Sequence, residues 1–138
     1  MKVLVDSNVI LNKLLRQPDF FAGSNAIFTL AEIGKITGYI SASAVTDIYY
    51  ITKKSLGKVA AREAIKKMLL VFYPATVTGD DIYQALDLEW EDFEDSVQYV
   101  VGEGLSVDYI VTRNTQDFTS GSIAAITPEQ FLETITNG

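Results

Sequence analysis

The chain has 138 residues, 48% of them hydrophobic and 21% charged, and its formal net charge is −7. This composition excludes a disordered chain and is typical of a globular protein with a substantial core. The sequence contains no cysteine and no histidine, which excludes thiol catalysis, a Ser-His-Asp triad and zinc sites built on Cys or His.

The first half of the chain predicts two strands, each followed by helices. The β-branched and apolar run at residues 2–5 is typical of a buried parallel strand, and it ends at Asp6. Apolar residues then recur at helical spacing as far as the helix breaker at residues 17–19. We predict strands at residues 2–5 and 39–41. We also predict a helix capped by Ser7 or Asn8, a helix from Ser24 or Asn25 to about Lys35, a helix that begins near Ser43, and a helix from about Val59 to Leu70.

The second half continues the alternation of strands and helices. Thr127 is followed by Pro128 and, three residues on, by Gln130, which is the pattern of a helix start with a capping box. We predict strands at residues 73–77, 109–111 and 123–126, and helices that follow Thr78, open at Asp92 and begin at Thr127, with an irregular loop between residues 111 and 122.

Strands that alternate with helices indicate an α/β fold with a parallel sheet. We predict a three-layer α/β/α sandwich around a sheet of four to five strands, formed by residues 1–138 as one domain. No apolar run approaches the roughly 20 residues that cross a bilayer, and Asp6 stands too early for a signal peptide. We therefore expect a cytoplasmic protein without a membrane partner.

Acidic residues stand at strand ends and helix starts, where open α/β sheets place their sites. These are Asp6, Asp47, Asp95 and Asp117. Carboxylates that gather in one place repel each other unless a cation joins them, and they are the natural ligands of Mg²⁺ and Mn²⁺. Because 18 of the 138 residues are acidic, some strand ends carry an acid by chance, and spacing alone leaves both interpretations open.

Charge is unevenly distributed along the chain. Residues 53–67 contain six basic residues and one acidic residue, whereas residues 80–95 contain eight acidic residues and no basic one. The basic stretch predicts either contacts to RNA phosphates or a solvated helix face. A net charge of −7 by itself argues against nucleic-acid binding that is independent of sequence.

Four segments, in the expected order, resemble the PIN-domain family of small Mg²⁺-dependent ribonucleases, which includes the VapC-type toxins. The run VLVDSNVI at residues 3–10 resembles the family's first strand with its metal-binding Asp. The run DFEDSVQ at residues 92–98 is similar to the acidic helix start, and DYIVTRNTQDF at residues 108–118 to the last strand and its loop. The ending TPEQF at residues 127–131 is similar to one bacterial branch.

The resemblance implies a metal-dependent endoribonuclease with a PIN-like fold. Mg²⁺ or Mn²⁺ would activate water for hydrolysis of an RNA phosphodiester, leaving a 5′-phosphate and a 3′-hydroxyl. It implies metal ligands at Asp6, Asp95 and Asp117, and a catalytic group made of Asp6, Asp47, Asp95 and Asp117. Residues that orient ligands or contact substrate would be Ser7, Asn8, Thr112, Arg113 and Asn114.

One position departs from the family pattern, and the biological role stays open. The family's second acid is usually Glu, whereas the matching residue here is Asp47, which is shorter by one methylene. The resemblance also implies a homodimer and, for a toxin, an antitoxin protein as partner. The alternatives are a non-catalytic module that binds RNA or a protein, and a nuclease of RNA processing.

Overall fold

The computed structural model describes residues 1–137, in which strands and helices alternate as predicted. The elements are β1 (Lys2–Val5), α1 (Ser7–Leu14), α2 (Phe21–Glu32), β2 (Thr37–Ser41), α3 (Ala42–Leu56), α4 (Lys58–Val71), β3 (Phe72–Ala75), α5 (Gly79–Leu88), α6 (Phe93–Leu105), β4 (Tyr109–Val111), a short 3-10 helix (Thr115–Phe118), β5 (Ala124–Ile126) and α7 (Pro128–Asn137).

The five strands form one parallel sheet in the order β3-β2-β1-β4-β5. Val3 of the central β1 pairs with Gly38 on one side and with Tyr109 on the other. From β1 the chain first builds one half of the sheet through β2 and β3, and then crosses back to build the other half through β4 and β5. The switch between the halves lies between β1 and β4, where α/β sheets open a crevice at their carboxyl ends.

Helices cover both faces of this sheet, which confirms the predicted three-layer α/β/α sandwich. Alternate residues of β1 point to opposite faces: Val3 and Val5 join one core cluster, and Leu4 joins the other. The first cluster includes side chains of α1, α2, α3, α4 and α7, and the second includes side chains of α5, α6 and the 3-10 helix.

Several helix boundaries differ from the prediction. Asp6, rather than Ser7 or Asn8, is the N-cap residue of α1. The helix predicted from Ser24 or Asn25 begins at Phe21, because the turn at residues 17–20 leads directly into it through the bond from the Phe21 amide to the Gln17 carbonyl. The same helix ends at Glu32, since Gly34 turns the chain with a φ of 79°.

A glycine separates the two helices between β2 and β3. Gly57 adopts a φ of 90° and a ψ of 167° between α3 and α4, a conformation that residues with a side chain rarely reach. The two helices pack against each other as a hairpin. None of the helices within residues 1–137 is long and apolar enough to cross a membrane.

Candidate active site

The candidate site lies at the carboxyl ends of β1 and β4, at the switch point of the sheet. Asp6 follows β1 directly, and its backbone amide donates to the Val111 carbonyl at the end of β4, at 2.9 Å. Thr112 follows β4, and the side chains of Asp6 and Thr112 are both buried. Parallel pairing thus brings two residues that are 106 positions apart into direct contact.

The Asp6 carboxylate is held in place by hydrogen bonds from three elements. Thr112 Oγ1 donates to Asp6 Oδ2 at 2.7 Å, and Gln98 Nε2, on α6, donates to Asp6 Oδ1 at 3.1 Å. The Ser7 hydroxyl lies 3.4 Å from Asp6 Oδ1 and 3.4 Å from Glu94 Oε1. These donors fix the orientation of the Asp6 carboxylate.

The N-terminus of α6 places Asp95 beside Asp6. The Asp92 side chain caps this helix by accepting from the Asp95 amide at 3.0 Å, and the side chain of Asp95 is buried. Burial, together with the negative charges of Asp6, Asp92, Asp117 and Glu94, raises the pKa of Asp95 to about 7. A nearly buried carboxyl among like charges is thus protonated over much of the acidic pH range.

Glu94 is a site residue that the sequence analysis did not single out. Burial raises the pKa of its half-buried carboxyl, and the charges of Asp47, Asp6 and Asp92 raise it further. Glu94 therefore lies within electrostatic reach of both Asp47 and Asp6. The signal in the sequence was its position next to Asp95 in the acidic helix start, but spacing alone does not tell which of the adjacent acids turn inward.

Asp6, Asp92, Glu94 and Asp95 form an acid cluster. Asp47 and Asp117 lie at its exposed border. Asp47 lies on α3 and Asp117 in the 3-10 helix after β4, and both side chains are exposed. Their carboxylates nevertheless act on the buried acids, since Asp47 raises the pKa of Glu94 and Asp117 raises that of Asp95. Three acids of the predicted catalytic group, Asp6, Asp95 and Asp117, thus lie near one another, whereas Asp47 is linked to them through Glu94.

The polar residues predicted to contact substrate take different positions. Thr112 and Ser7 contact Asp6, as described above. Asn8 Oδ1 accepts from the Arg113 backbone amide at 3.4 Å, and the backbone amide of the exposed Asn114 donates to Thr112 Oγ1 at 3.1 Å. The substrate contacts of these residues remain predictions.

The Arg113 side chain binds other groups of the protein itself. Its Nε donates to Asn12 Oδ1 at 3.1 Å, one terminal nitrogen donates to the Phe20 carbonyl at 3.0 Å, and the other pairs with Glu129 on α7. All three guanidinium nitrogens therefore have protein partners. The phosphate contact predicted for Arg113 gains no support from this arrangement, which instead ties the loop after β4 to the neighbouring helices.

An open cleft of about 680 Å³ lies beside the acid cluster, between the α5–α6 connection and the 3-10 helix. Asp92 and Asp117 line it together with Trp90. Trp90 packs against Tyr99, with ring centroids 4.9 Å apart, and against Phe118 at 6.0 Å. These contacts pack Trp90 against α6 and the 3-10 helix.

The chemistry of the donor set fits a divalent cation. The mutual repulsion that raises the pKa of Asp95 is the situation that a bound cation relieves. Within residues 1–137, no three acidic side chains form a ready-made cage for an ion. Mg²⁺ commonly binds through one or two carboxylates and keeps several waters, so Asp6 and Asp95 with waters would suffice as its ligands.

The family model of the PIN domain matches residues 2–116, which is most of the chain. No curated protein matches the sequence significantly.

Solved structures with the same fold cover nearly the whole chain. VapC20 of Mycobacterium tuberculosis, described as a toxin that cleaves the sarcin-ricin loop, superposes with a TM-score of 0.70 at 14% identity over 86% of this chain and 95% of its own. VapBC2 of Rickettsia felis, bound to a promoter DNA fragment, gives 0.68 at 16% over 91% and 97%. A toxin–antitoxin complex of Klebsiella pneumoniae gives 0.67 at 21% over 91% and 97%. At these identities the likeness concerns the fold.

Proposed function

This chain belongs to the PIN-domain family, and on that premise we propose that it is a divalent-metal-dependent endoribonuclease, the toxin of a toxin–antitoxin pair. The observation that carries the proposal is the pair of buried carboxylates at the switch point. The Asp6 carboxylate is held in place by hydrogen bonds from Gln98 and Thr112, and Asp95 beside it has a pKa raised to about 7. Such a pair is a place for a cation rather than a stabilising feature of the fold.

The proposed roles follow from the position of each side chain. Asp6 and Asp95 would hold the ion, and Asp117 would complete the site from the loop after β4. Glu94 and Asp47 would add negative charge from the side of α3. A bound Mg²⁺ or Mn²⁺ would supply an acidified water and neutralise charge on the phosphate.

The residues around the acids prepare the site for that chemistry. Thr112 fixes the Asp6 carboxylate by its 2.7 Å hydrogen bond, and the Asp92 cap fixes the first turn of α6 from which Asp95 projects. The open cleft beside the cluster gives a polynucleotide access to it. Because a metal-activated water is the proposed nucleophile, the proposed hydrolysis needs neither a histidine nor a covalent intermediate.

The proposed partners are RNA and proteins. RNA is the proposed substrate, and an antitoxin protein and a second copy of the chain are the proposed protein partners. One structure with this fold is described as a toxin–antitoxin complex and another as a toxin, which supports an antitoxin as partner. A cytoplasmic location remains a prediction from the sequence.

The proposal is tested by RNA cleavage with purified chain free of any partner, in Mn²⁺, in Mg²⁺ and in chelator. We expect metal-dependent cutting that leaves 5′-phosphate ends, and a loss of more than about 100-fold in Asp6→Asn and in Asp95→Asn. Asp87→Asn is the matched control, since Asp87 is exposed on α5 and the change removes one charge without touching the cluster.

Two results would separate the proposal from its alternatives. Absence of cutting by folded wild-type protein over a panel of RNAs would contradict it and favour a module that binds RNA or protein without cleaving. Cutting without growth arrest when the chain is expressed alone would favour a role in RNA processing.

A further inference from the structure

Gln98 is a buried polar residue that the proposed chemistry does not use. It lies on α6 one turn after Asp95, and its side chain is completely buried. Its Nε2 donates to Asp6 Oδ1 at 3.1 Å. This hydrogen bond is a direct link between the helix that carries Asp95 and the strand end that carries Asp6.

The other half of the Gln98 amide is unsatisfied. Its Oε1 is buried and finds no hydrogen-bond partner within residues 1–137. The orientation follows from chemistry, because an Oε1 turned toward Asp6 would set two acceptors against each other. A buried acceptor without a partner costs free energy, and a role at a functional site is one of the reasons for which native structures keep such a group.

The neutrality of the amide is the second informative feature. A lysine or arginine at this position could also donate to Asp6. Its positive charge, however, would offset the negative charges of the acids around Asp95. An amide donates a hydrogen bond and leaves the negative charge in place. A residue that orients Asp6 without cancelling its charge is what a cation site requires.

From this geometry we propose that Gln98 is a positioning residue, which holds the Asp6 carboxylate in the orientation that accepts a divalent cation. The inference rests on the proposed function and adds a residue to it. Gln98 acts through Asp6 and does not touch substrate. Loss of the amide donor should therefore weaken cation binding without removing the core packing of α6.

The test is Gln98→Met, a change of similar shape that deletes the donor, with Gln84→Met as matched control. Gln84 is exposed on α5 and makes no contact with the cluster. Binding of Mn²⁺ alone is measured by calorimetry in the absence of RNA. We expect the affinity of Gln98→Met to fall by about 10- to 100-fold, with its Tm in chelator within a few degrees of the wild type, and Gln84→Met to match the wild type in both.

Kinetics distinguish positioning from catalysis. At saturating Mn²⁺ the RNA cleavage rate of Gln98→Met should return to within a few-fold of the wild type, because only the affinity for the ion has changed. A rate that stays low at saturation would overturn the positioning role. Wild-type affinity for Mn²⁺ in Gln98→Met would overturn it as well, with the proposed nuclease function left intact.

A measurement on the wild-type protein keeps the inference testable if the variant does not fold. The side-chain amide signals of Gln98, followed by NMR, should exchange slowly in chelator and shift on addition of Mg²⁺, whereas those of Gln84 should do neither. Unchanged Gln98 signals in protein that binds Mg²⁺ would overturn the inference. Wild-type protein that binds neither metal would overturn the proposed function and this inference together.

Discussion

At the scale of single residues, two neighbouring carboxylates meet different surroundings. Asp6 receives hydrogen bonds from Thr112 and Gln98, which compensate for its burial. For Asp95, it is the backbone amide that forms a hydrogen bond, to the Asp92 side chain that caps the helix. The pKa of the Asp95 carboxyl rises to about 7 through burial and like charges. One carboxylate is thus prepared as a fixed ligand, and the other as a group that ionises fully when a cation arrives.

The first prediction concerns Asp95→Asn in metal-free protein. The native state holds the Asp95 proton more tightly than the unfolded chain, with a pKa of about 7 against 3.8, so rising pH favours unfolding between these values. The contribution of the protonated Asp95 to the free energy of unfolding is complete below pH 4 and is lost as the pH rises through 7. Because Asn stays neutral, the free energy of unfolding of the variant should exceed that of the wild type by up to about 4 kcal/mol at pH 8, the equivalent of the shift from 3.8 to about 7, and by nearly nothing at pH 4.

Chemical denaturation in chelator at several pH values measures this difference. Asp87→Asn provides the baseline for loss of one acidic residue. A stability gain for Asp95→Asn that is the same at pH 4 and pH 8 would contradict the raised pKa.

The second prediction compares Glu94 with Asp47. The negative charge of Asp6 raises the pKa of the half-buried Glu94, which lies within hydrogen-bond reach of Ser7. Asp47, in contrast, is exposed, and its side chain is one methylene shorter than that of the usual family residue. We expect Glu94→Gln to lower metal-dependent cleavage by about 10- to 100-fold, and Asp47→Asn to lower it only a few-fold.

The control for this comparison lies on the same helix. Glu103 is exposed near the far end of α6, about 13 Å along the axis from Glu94 by the helical rise, and Glu103→Gln should leave cleavage unchanged. A larger loss in Asp47→Asn than in Glu94→Gln would restore Asp47 to the role that the family resemblance implies.

At the scale of elements, Arg113 joins the end of β4 to three helices. Its guanidinium binds Asn12 on α1, the Phe20 carbonyl at the start of α2, and Glu129 on α7, and it lies 4.7 Å from the Phe20 ring centroid. A Cβ added at Gly23 of α2 would meet the Glu129 carboxylate, so a larger residue at this position would displace the Glu129 side chain. Thr112, which holds Asp6, is the residue next to this junction.

The third prediction is that Glu129→Gln weakens the docking of α7. Removal of the charged partner should lower the free energy of unfolding by about 1 kcal/mol, since Arg113 is mostly buried but Glu129 is largely exposed. Thermal unfolding should show a fall in Tm of a few degrees. Glu133→Gln, an exposed change on the same helix, should have no effect, and an equal fall in both variants would contradict the role of the Arg113 pair.

Elements with a strong local signal were predictable from the sequence. The start of α7 is confirmed by reciprocal bonds, from the Thr127 amide to Gln130 Oε1 at 3.0 Å and from the Gln130 amide to Thr127 Oγ1 at 3.1 Å. Strand β4 has the predicted bounds. The start of α2 was not predictable, because it depends on how the turn at residues 17–20 closes.

At the scale of the whole molecule, the strand order decides which residues meet. Alternation in the sequence predicted a parallel sheet, and strand ends predicted where Asp6 would lie. The contact of Asp6 with Gln98 depends on how α6 packs against β1. No local sequence pattern predicts that packing. The sequence therefore indicated the acids of the candidate site, whereas Glu94 and Gln98 required the fold.

The uneven charge of the chain connects this topology to stability. Residues 80–95 contain eight of the 18 acidic residues and no basic one, and the fold directs the last of them into the crevice between β1 and β4. The native state thus concentrates negative charge at one end of the sheet, which disfavours the compact state when no cation is present. A ligand that binds only the native state raises the free energy of unfolding. At high ligand concentration, the increase grows with the logarithm of the ligand concentration divided by Kd.

The last prediction is that Mn²⁺ stabilises the whole protein, and does so more at high pH. Binding must displace the Asp95 proton, so with a pKa of about 7 the apparent affinity should be roughly tenfold higher at pH 8 than at pH 6. At a fixed excess of Mn²⁺ the added stability should then be greater at pH 8 by about 1.4 kcal/mol, the equivalent of a factor of ten. Denaturation with Mn²⁺ and with chelator at the two pH values measures it, and the difference should vanish in Asp95→Asn. Equal stabilisation of the wild type at both pH values would mean that the ion, if it binds, does so without using the Asp95 carboxylate.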